Sequence, residues 1–385
     1  MNSRMRVLMP VYNEIDFDGR VQRAAQAIGR DCDVTVLSLD SGRGFTAPGF
    51  RSRVVRLPEL KRFRGLMHLW FLARLCALAV RLRPALVHAH DFHMALPGWI
   101  AARLSGARVI YDAHELYIPE PPQPMSRHAR FWYRLERWVI GRVDLVVAAN
   151  PERAQVMREH FGLATTPLVV RNVSPLPERL LDDAALLGTY PQLAPGSAGS
   201  IRLVYQGDLN LQRGLGYFVD AMPRLDERFQ LVVVGGGVDL EPIRARVEAQ
   251  GLGGRVVFLG RVPRTHLPDI LRVCDIGIIT YAETGLNNLL CAPNKLYDYP
   301  QAGLPMVGRP NPVLDRVFAE HGVGATALDV REAVLAVAGD LEGYRARLDA
   351  FVRSHTWDVE AARLREGYAR LGLGTGAPAP AEVHA

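Results

Sequence analysis

The chain has 385 residues, 49% of them hydrophobic and 22% charged, with 46 Lys and Arg against 40 Asp and Glu for a net charge of +6. That length exceeds one core and implies two or three domains, and the composition excludes a low-complexity or natively unfolded chain. A surplus this thin and scattered does not suit duplex DNA, so no nucleic-acid partner is expected; an anionic small molecule or a membrane surface fits better.

In the first half, strand-like runs at Arg6–Tyr12, Asp33–Leu39, Ala85–His88, Arg108–Asp112, Leu145–Ala148 and Leu168–Arg171 alternate with stretches of three- and four-residue apolar spacing, such as Arg20–Arg30 and His93–Leu104. This is the β-α-β rhythm of a parallel sheet covered on both faces. The first strand-to-helix loop, within VYNEIDFDGRVQRAAQA (11–27), carries Asp18, Gly19 and Arg20. Asp18 reads equally as a helix N-cap and as an acceptor-side residue, and Gly19 leaves room for an acceptor or phosphate.

Residues 58–83, PELKRFRGLMHLWFLARLCALAVRLR, are basic and apolar at once. Two readings stay open: a helix lying on an anionic membrane surface, or a core-facing helix with solvated arginines. Its most apolar part, residues 68–80, falls short of the roughly 20 residues of a membrane span. The N-terminus shows no secretory pattern, and the four cysteines, Cys32, Cys76, Cys274 and Cys291, have neither disulfide nor metal spacing. A cytoplasmic protein is expected, with peripheral contact at the inner membrane face left open.

ALVHAHDFH (85–93) and YDAHELYIPE (111–120) gather His88, His90, His93 and His114 with Asp91 and Glu115 at two strand ends. A metal site is one reading, but Ile118 stands where a zinc helix would place its second histidine, and no further ligand set follows. The preferred reading has no metal and no cofactor. His90, Asp91, His114 and Glu115 face a cleft and meet sugar hydroxyls, while His88 also reads as a core histidine.

Residues 176–199 interrupt the rhythm with Pro, Gly and Ser and read as a linker. The rhythm then restarts at 201–207, 229–235, 256–260, 276–281 and 304–308. The expected organisation is therefore an α/β chain with two Rossmann-like doubly wound domains facing a central cleft: 1–175 on the acceptor side, 200–355 on the donor side, a helix at 356–372 crossing back, and a disordered tail at 373–385. In such sheets ligands sit beyond the carboxyl ends of the strands.

In YQGDLNLQRGLGYF (205–218) a strand ends at Gly207, and a helix opens near Gly214 with Arg213 at its mouth. Helix N-termini and an adjacent arginine together favour an anion. LVVVGGGVDLE (231–241) lacks the third glycine of a dinucleotide fingerprint, so Gly235 is expected in a turn where the backbone passes close to a ligand. CAPNKLYDYPQAGLPMVG (291–308) reads as a helix opening near Pro293, carrying Asn294, Lys295, Leu296 and Asp298 and ending before Gly303. A lysine in the first turn opposes the dipole unless an anion joins it.

The order and spacing of FDGRVQRAAQAIGRDCDVTVL, ALVHAHDFHMALPGWIAARL, RVIYDAHEL, VVFLGRVPRTHLPDILRVCDIGIITY and APNKLYDYPQAGLPMV resemble the GT-B glycosyltransferases of the retaining family-four group, the glycogen-synthase-like and mannosyltransferase-like enzymes, over residues 5 to 371. The resemblance implies a nucleotide-sugar donor and a hydroxyl acceptor. By position, Arg213 matches a donor-phosphate cation, Asp298 the acid on the ribose hydroxyls, and His114 a histidine near the transferred sugar. Three departures stand out: Asp208 where an arginine is common, Leu290 where the first acid of a pair is usual, and Pro300 inside the predicted helix. Lys295 is the expected replacement for the lost charge, and Glu283, Asn287 or Asn288 for the lost acid. Catalysis is thus assigned to His114, Glu115, Arg213 and Lys295. A sugar-nucleotide epimerase on the same fold, a metal-dependent hydrolase using the histidines, and a silent sugar binder are the alternatives.

Overall fold

The structure, a computed structural model, describes residues 4–56, 64–120, 125–177, 179–194, 199–282 and 285–373. They form two compact units, one from the described residues of Met1–Arg171 and Asp358–Ala385, the other from those of Asn172–Trp357.

The first unit is built on parallel strands β1 (Arg6–Glu14), β2 (Asp33–Leu39), β3 (Arg51–Val55), β4 (Leu86–His90), β5 (Arg108–Ala113), β6 (Leu145–Ala148) and β7 (Leu168–Val169), in the order β3-β2-β1-β4-β5-β6-β7. Helices α1 (Gly19–Gly29), α2 (Arg64–Leu82), α3 (Phe92–Ser105), α4 (Arg127–Val139) and α5 (Pro151–Phe161) connect them. Val7, Leu8, Met9 and Val11 of β1 are all buried, as a strand covered on both faces requires.

The second unit repeats the plan with β8 (Ile201–Gln206), β9 (Phe229–Val234), β10 (Val256–Gly260), β11 (Ile276–Ile279), β12 (Met306–Gly308) and β13 (Gly324–Thr326), ordered β10-β9-β8-β11-β12-β13. Its helices are α6 (Asp183–Thr189), α7 (Leu215–Ala221), α8 (Leu240–Ala249), α9 (Leu267–Leu271), α10 (Leu286–Leu289), α11 (Lys295–Gln301), α12 (Pro312–His321), α13 (Val330–Gly339) and α14 (Leu341–Ser354). Successive strand residues feed opposite cores: Leu203, Tyr205, Leu231 and Val233 join one cluster, and Val204, Val232 and Val234 the other.

The segment expected to be a linker is partly structure of this unit. It contains α6, and Leu186 and Leu193 are buried in the second cluster. Pro300 is the last residue but one of α11: it cannot donate the usual bond to the carbonyl four residues back, and the helix ends one residue later, with Gly303 following at φ 79°.

The last helix, α15 (Trp357–Arg370), returns to the first unit. Glu360 accepts from the Arg171 amide at 2.8 Å and from its guanidinium at 3.2 Å. Gly367 lets the helix approach β7 closely: a Cβ there would sit 2.6 Å from Leu168 Cδ2, so that side chain would have to shift. Residues 374–385, expected as a disordered tail, lie outside the described residues.

Helix α2 is longer than the apolar run that was expected to fall short of a span. Its window Gly65–Leu82 is long and apolar enough to cross a membrane by length and composition, and only 17% of it is buried. Phe71, Leu75 and Ala79, four residues apart, face the core, while Leu66, Leu69, Trp70 and Val80 are exposed.

Candidate active site

In the second unit, the strand-to-helix loops after β8 and β11 and the start of α11 bring the predicted donor residues together. The turn Leu211–Arg213 is tied to the loop after β11 by the Ala282 amide, which donates to Gln212 O at 2.8 Å. That tie holds the Arg213 guanidinium carbon 5.2 Å from the centroid of Tyr281. Lys295 opens α11, and its Nζ lies 5.3 Å from the same centroid, 4.4 Å from that of Tyr205, and 3.4 Å from Gln206 O. Lys295 is only 6% exposed. Burial, reinforced by the nearby Arg213 charge, pushes its ammonium down to about 7. Among the described residues, neither cation forms an ion pair with a carboxylate. Two cations over one shared aromatic ring make a receptor for an anion.

Helix dipoles contribute less here than expected. Helices α7 and α11 are seven residues each, and Gly214 caps α7 with no side-chain bond. The side-chain cations therefore supply the site's charge.

Gly207, at φ 144°, and Gly235, at φ 139°, pack against each other rather than leaving a gap for a ligand. A Cβ on Gly235 would lie 1.9 Å from Gly207 O, and one on Gly237 would lie 2.3 Å from Leu209 O. The glycine triplet is thus room for the loop after β8. Gly214, at φ 75°, fits under Thr280, whose Oγ1 would be 2.6 Å from an added Cβ.

Asp298 accepts from Gln206 Nε2 at 3.0 Å, which fixes the carboxylate. Asn294 precedes the helix without a side-chain cap, and its carbonyl accepts from the Tyr297 and Asp298 amides. The Leu296 side chain points into the core and its amide bonds Pro293 O at 3.3 Å, so Leu296 supports the helix rather than a ligand. Leu290 is buried, and Asn288 O accepts from Asn311. Glu283 lies outside the described residues.

Tyr299, which sequence reasoning missed, braces this end of the sheet. Its hydroxyl donates to Ile278 O at 3.1 Å and accepts from the Gln206 amide at 3.1 Å, and its ring fills the space beside Gly277.

In the first unit the strand ends form a second cluster around Asp112, also unpredicted. Arg20 bonds both carboxylate oxygens, at 2.7–3.2 Å, and donates to Val170 O at 2.8 Å. Arg20 is therefore committed to the fold rather than offered to an acceptor. His90 is fully buried, so it cannot reach a sugar hydroxyl as expected; its Nδ1 lies 3.4 Å from Asp112 Oδ2 and 3.2 Å from His114 Nε2. His88 packs on His90 with centroids 4.2 Å apart, and its Nδ1 lies 2.9 Å from the Tyr368 hydroxyl.

Burial alone would raise the Asp112 carboxyl, but the Arg20 charge and the His90 bond outweigh it and hold the group well below the usual range. Burial lowers His88, His90 and His114 in turn, so all three are neutral at pH 7. Ligand atoms of His88, His90 and Asp112 lie within 4.8 Å of one another, the spacing of a metal centre, but the Arg20 guanidinium already occupies both Asp112 oxygens.

Asp18 caps α1, accepting from the Val21 amide at 3.1 Å, and Gly19 begins that helix. Asp91 caps α3 from a strained backbone at φ 67° and ψ 161°. Burial raises its carboxyl to about 7, opposed by the Phe92 amide and assisted by the Glu115, Asp18 and Asp112 charges. His114 keeps 17% of its side chain exposed, and Glu115 is exposed.

Residues 21–172 match the family model Glycosyltransferase Family 4, and residues 200–349 match Glycosyl transferases group 1. The chain is 28% identical over 325 residues to a 2-deoxystreptamine N-acetyl-D-glucosaminyltransferase of Streptomyces fradiae, covering 76% of this chain and 71% of that protein. It is 24% identical over 308 residues to a D-inositol 3-phosphate glycosyltransferase of Xylanimonas cellulosilytica, covering 74% and 71%. Anabaena HepE, solved in complex with UDP and glucose, superposes with a TM-score of 0.73 at 16% identity, over 95% of this chain and 100% of that one. With a glycosyltransferase family over each half and the same two-sheet architecture throughout, the chain is a glycosyltransferase of the GT-B fold.

Proposed function

We propose that the enzyme transfers a sugar from a nucleoside-diphosphate donor, held by the second unit, to a hydroxyl acceptor bound at the strand ends of the first, with retention of anomeric configuration. The observation that carries this reading is the pair of cations, Arg213 and Lys295, on the ring of Tyr281. As the bond from the anomeric carbon to the diphosphate oxygen lengthens, negative charge gathers on the diphosphate, and two fixed cations stabilise that charge more in the transition state than in the ground state. The acceptor oxygen bonds to the anomeric carbon, and its proton passes to the departing phosphate, so no separate protein base is needed. Asp298 would hold the ribose hydroxyls; His114 and Glu115 would orient the sugar. The UDP bound by the Anabaena protein supports a diphosphate donor. Both matched families are glycosyltransferases, which favours transfer over the epimerase and metal-hydrolase readings.

One of the two relatives is named for 2-deoxystreptamine and the other for D-inositol 3-phosphate. Asp18 and Glu115 place negative charge near Asp91, whose raised carboxyl is only partly ionised at pH 7, while Arg20 is paired with Asp112. That balance supports an amino-bearing or neutral acceptor over a phosphorylated one. The exposed apolar residues of α2, interleaved with Arg74 and Arg81, support peripheral contact with an anionic bilayer. A panel of UDP-, GDP-, ADP- and TDP-sugars, scored by thermal shift and slow donor hydrolysis, tests the donor. Adding 2-deoxystreptamine, inositol and inositol 3-phosphate tests the acceptor. A stable complex with no nucleotide sugar in the panel overturns the donor assignment, and preferred transfer to inositol 3-phosphate overturns the acceptor one.

A further inference from the structure

The atoms His90 Nδ1, His114 Nε2 and Asp112 Oδ2 form a triangle with sides of 3.2, 3.4 and 3.8 Å. Two imidazole nitrogens 3.2 Å apart cannot both carry hydrogens toward each other, nor both present lone pairs without repulsion, so one proton lies between them. The carboxylate decides which nitrogen holds it. Asp112 Oδ2 is nearer to His90, and a lone pair on His90 Nδ1 would face that anion at 3.4 Å. The far nitrogen of His90 agrees. Nε2 is buried with no hydrogen-bond partner, and an orphaned acceptor is tolerated there better than an orphaned N–H. The proton therefore sits on His90 Nδ1, and His114 Nε2 must accept. A neutral His114 then carries its hydrogen on Nδ1, to which no described residue is bonded.

We propose that Asp112, clamped by Arg20, is a positioning residue that works through His90 to fix His114 as its Nδ1–H tautomer, so that His114 offers a hydrogen-bond donor, not an acceptor, to the transferred sugar. The inference rests on the sugar-side role of His114 and specifies its chemistry. The ligand group it selects is a sugar hydroxyl or ring oxygen acting as acceptor. Arg20 secures the device, since its three bonds to Asp112 keep the carboxylate ionised and correctly turned.

The test is a long-range ¹H–¹⁵N correlation spectrum of the full chain carrying ¹⁵N-ring-labelled histidine, at pH 8 without substrate, with His114 assigned by its loss in His114→Ala. The expected result is a pyrrole-type Nδ1 and a pyridine-type Nε2 for His114. His90→Leu should move His114 toward the opposite tautomer and lower kcat by at least about tenfold. His90→Asn, which keeps an amide N–H near the Nδ1 position, should recover the wild-type signature and much of that loss. A pyrrole-type Nε2 on wild-type His114, or a signature indifferent to His90→Leu, overturns the proposal. Unchanged turnover in His114→Ala would instead overturn the sugar-side role beneath it, and the two failures are distinguishable because the tautomer is read without substrate.

Discussion

Arg213 and Lys295 stand against the same aromatic ring, the guanidinium carbon 5.2 Å and the ammonium 5.3 Å from the centroid of Tyr281. Like charges this close, one of them buried, repel unless an anion joins them. Arg213→Ala should accordingly lower kcat by about 10²–10³ while leaving the fold intact, because the lost interaction strengthens as the diphosphate departs. Steady-state kinetics together with a far-UV spectrum decide the matter. Wild-type turnover in a folded variant would refute the phosphate role.

Lys295 adds a proton-linked signature. Its ammonium sits near 7 in the ligand-free protein, against an ordinary value of 10.5, because burial disfavours the charged form. A bound diphosphate favours that form, so at pH 8 binding should take up close to one proton, and affinity should weaken as pH rises above 7. Calorimetry of UDP binding in buffers of different ionisation enthalpy counts the protons; none taken up would show that Lys295 does not meet the phosphate.

The same shift predicts a trade-off with stability. Between pH 7 and 10.5 the unfolded chain binds the Lys295 proton and the folded chain does not, so stability rises with pH across that window. Lys295→Met removes the cost of burying the charge. It should raise the ligand-free midpoint by about 2–4 °C for each kcal/mol relieved, most clearly below pH 7, while binding nucleotide less well. A melting curve that drops at pH 6 would mean that the ammonium is stabilised where it lies.

Asp298 and Gln206 should act as a unit on the nucleoside. Gln206 Nε2 holds one Asp298 oxygen at 3.0 Å, presetting the carboxylate for a ribose diol. Asp298→Ala should weaken UDP binding by about 1.5–3 kcal/mol, the scale of hydrogen bonds to a charged group. Gln206→Leu should weaken it less, and the double variant should fall short of the sum. Unchanged UDP affinity in Asp298→Ala removes the ribose role.

Short continuous apolar runs between stretches of helical spacing made the strands and their parallel arrangement legible, because each sheet is buried on both faces and its residues carry that burial directly. The meeting of Arg213 and Lys295 on one ring was legible for a related reason: each stands where a helix opens beyond a strand end, whereas Asp298, inside α11, was singled out only by the family resemblance. What stayed hidden depends on pairings distant in sequence. Asp112 looks like an ordinary strand residue until Arg20, 92 positions away, closes on it. His90 reads as a sugar ligand because the local pattern ends there, yet it is fully buried, with Asp112 of β5 beside it, and Tyr368 of α15 reaches its neighbour His88 across 280 positions. Gly235 was expected in a turn where the backbone passes close to a ligand, but Gly235 and Gly237 meet the backbone at Gly207 and Leu209 instead, a contact that a glycine run cannot announce.

Helix α2 gives the remaining prediction. Phe71, Leu75 and Ala79 hold one face to the core, and the opposite face exposes Leu69 at 61% and Trp70 at 46% beside Arg74, whose guanidinium lies 6.0 Å from the Trp70 ring. An apolar stripe with arginines along it is attracted to anionic headgroups and then buries its tryptophan at the interface. The protein should co-float with vesicles containing phosphatidylglycerol and not with pure phosphatidylcholine, and high salt should weaken the association. Leu69→Ser with Trp70→Ser should abolish flotation and leave transfer to a soluble acceptor intact, because neither side chain supports the core. Equal flotation with neutral lipid would remove the electrostatic part of the reading, and no flotation at all would make this stripe an interface for something other than a bilayer.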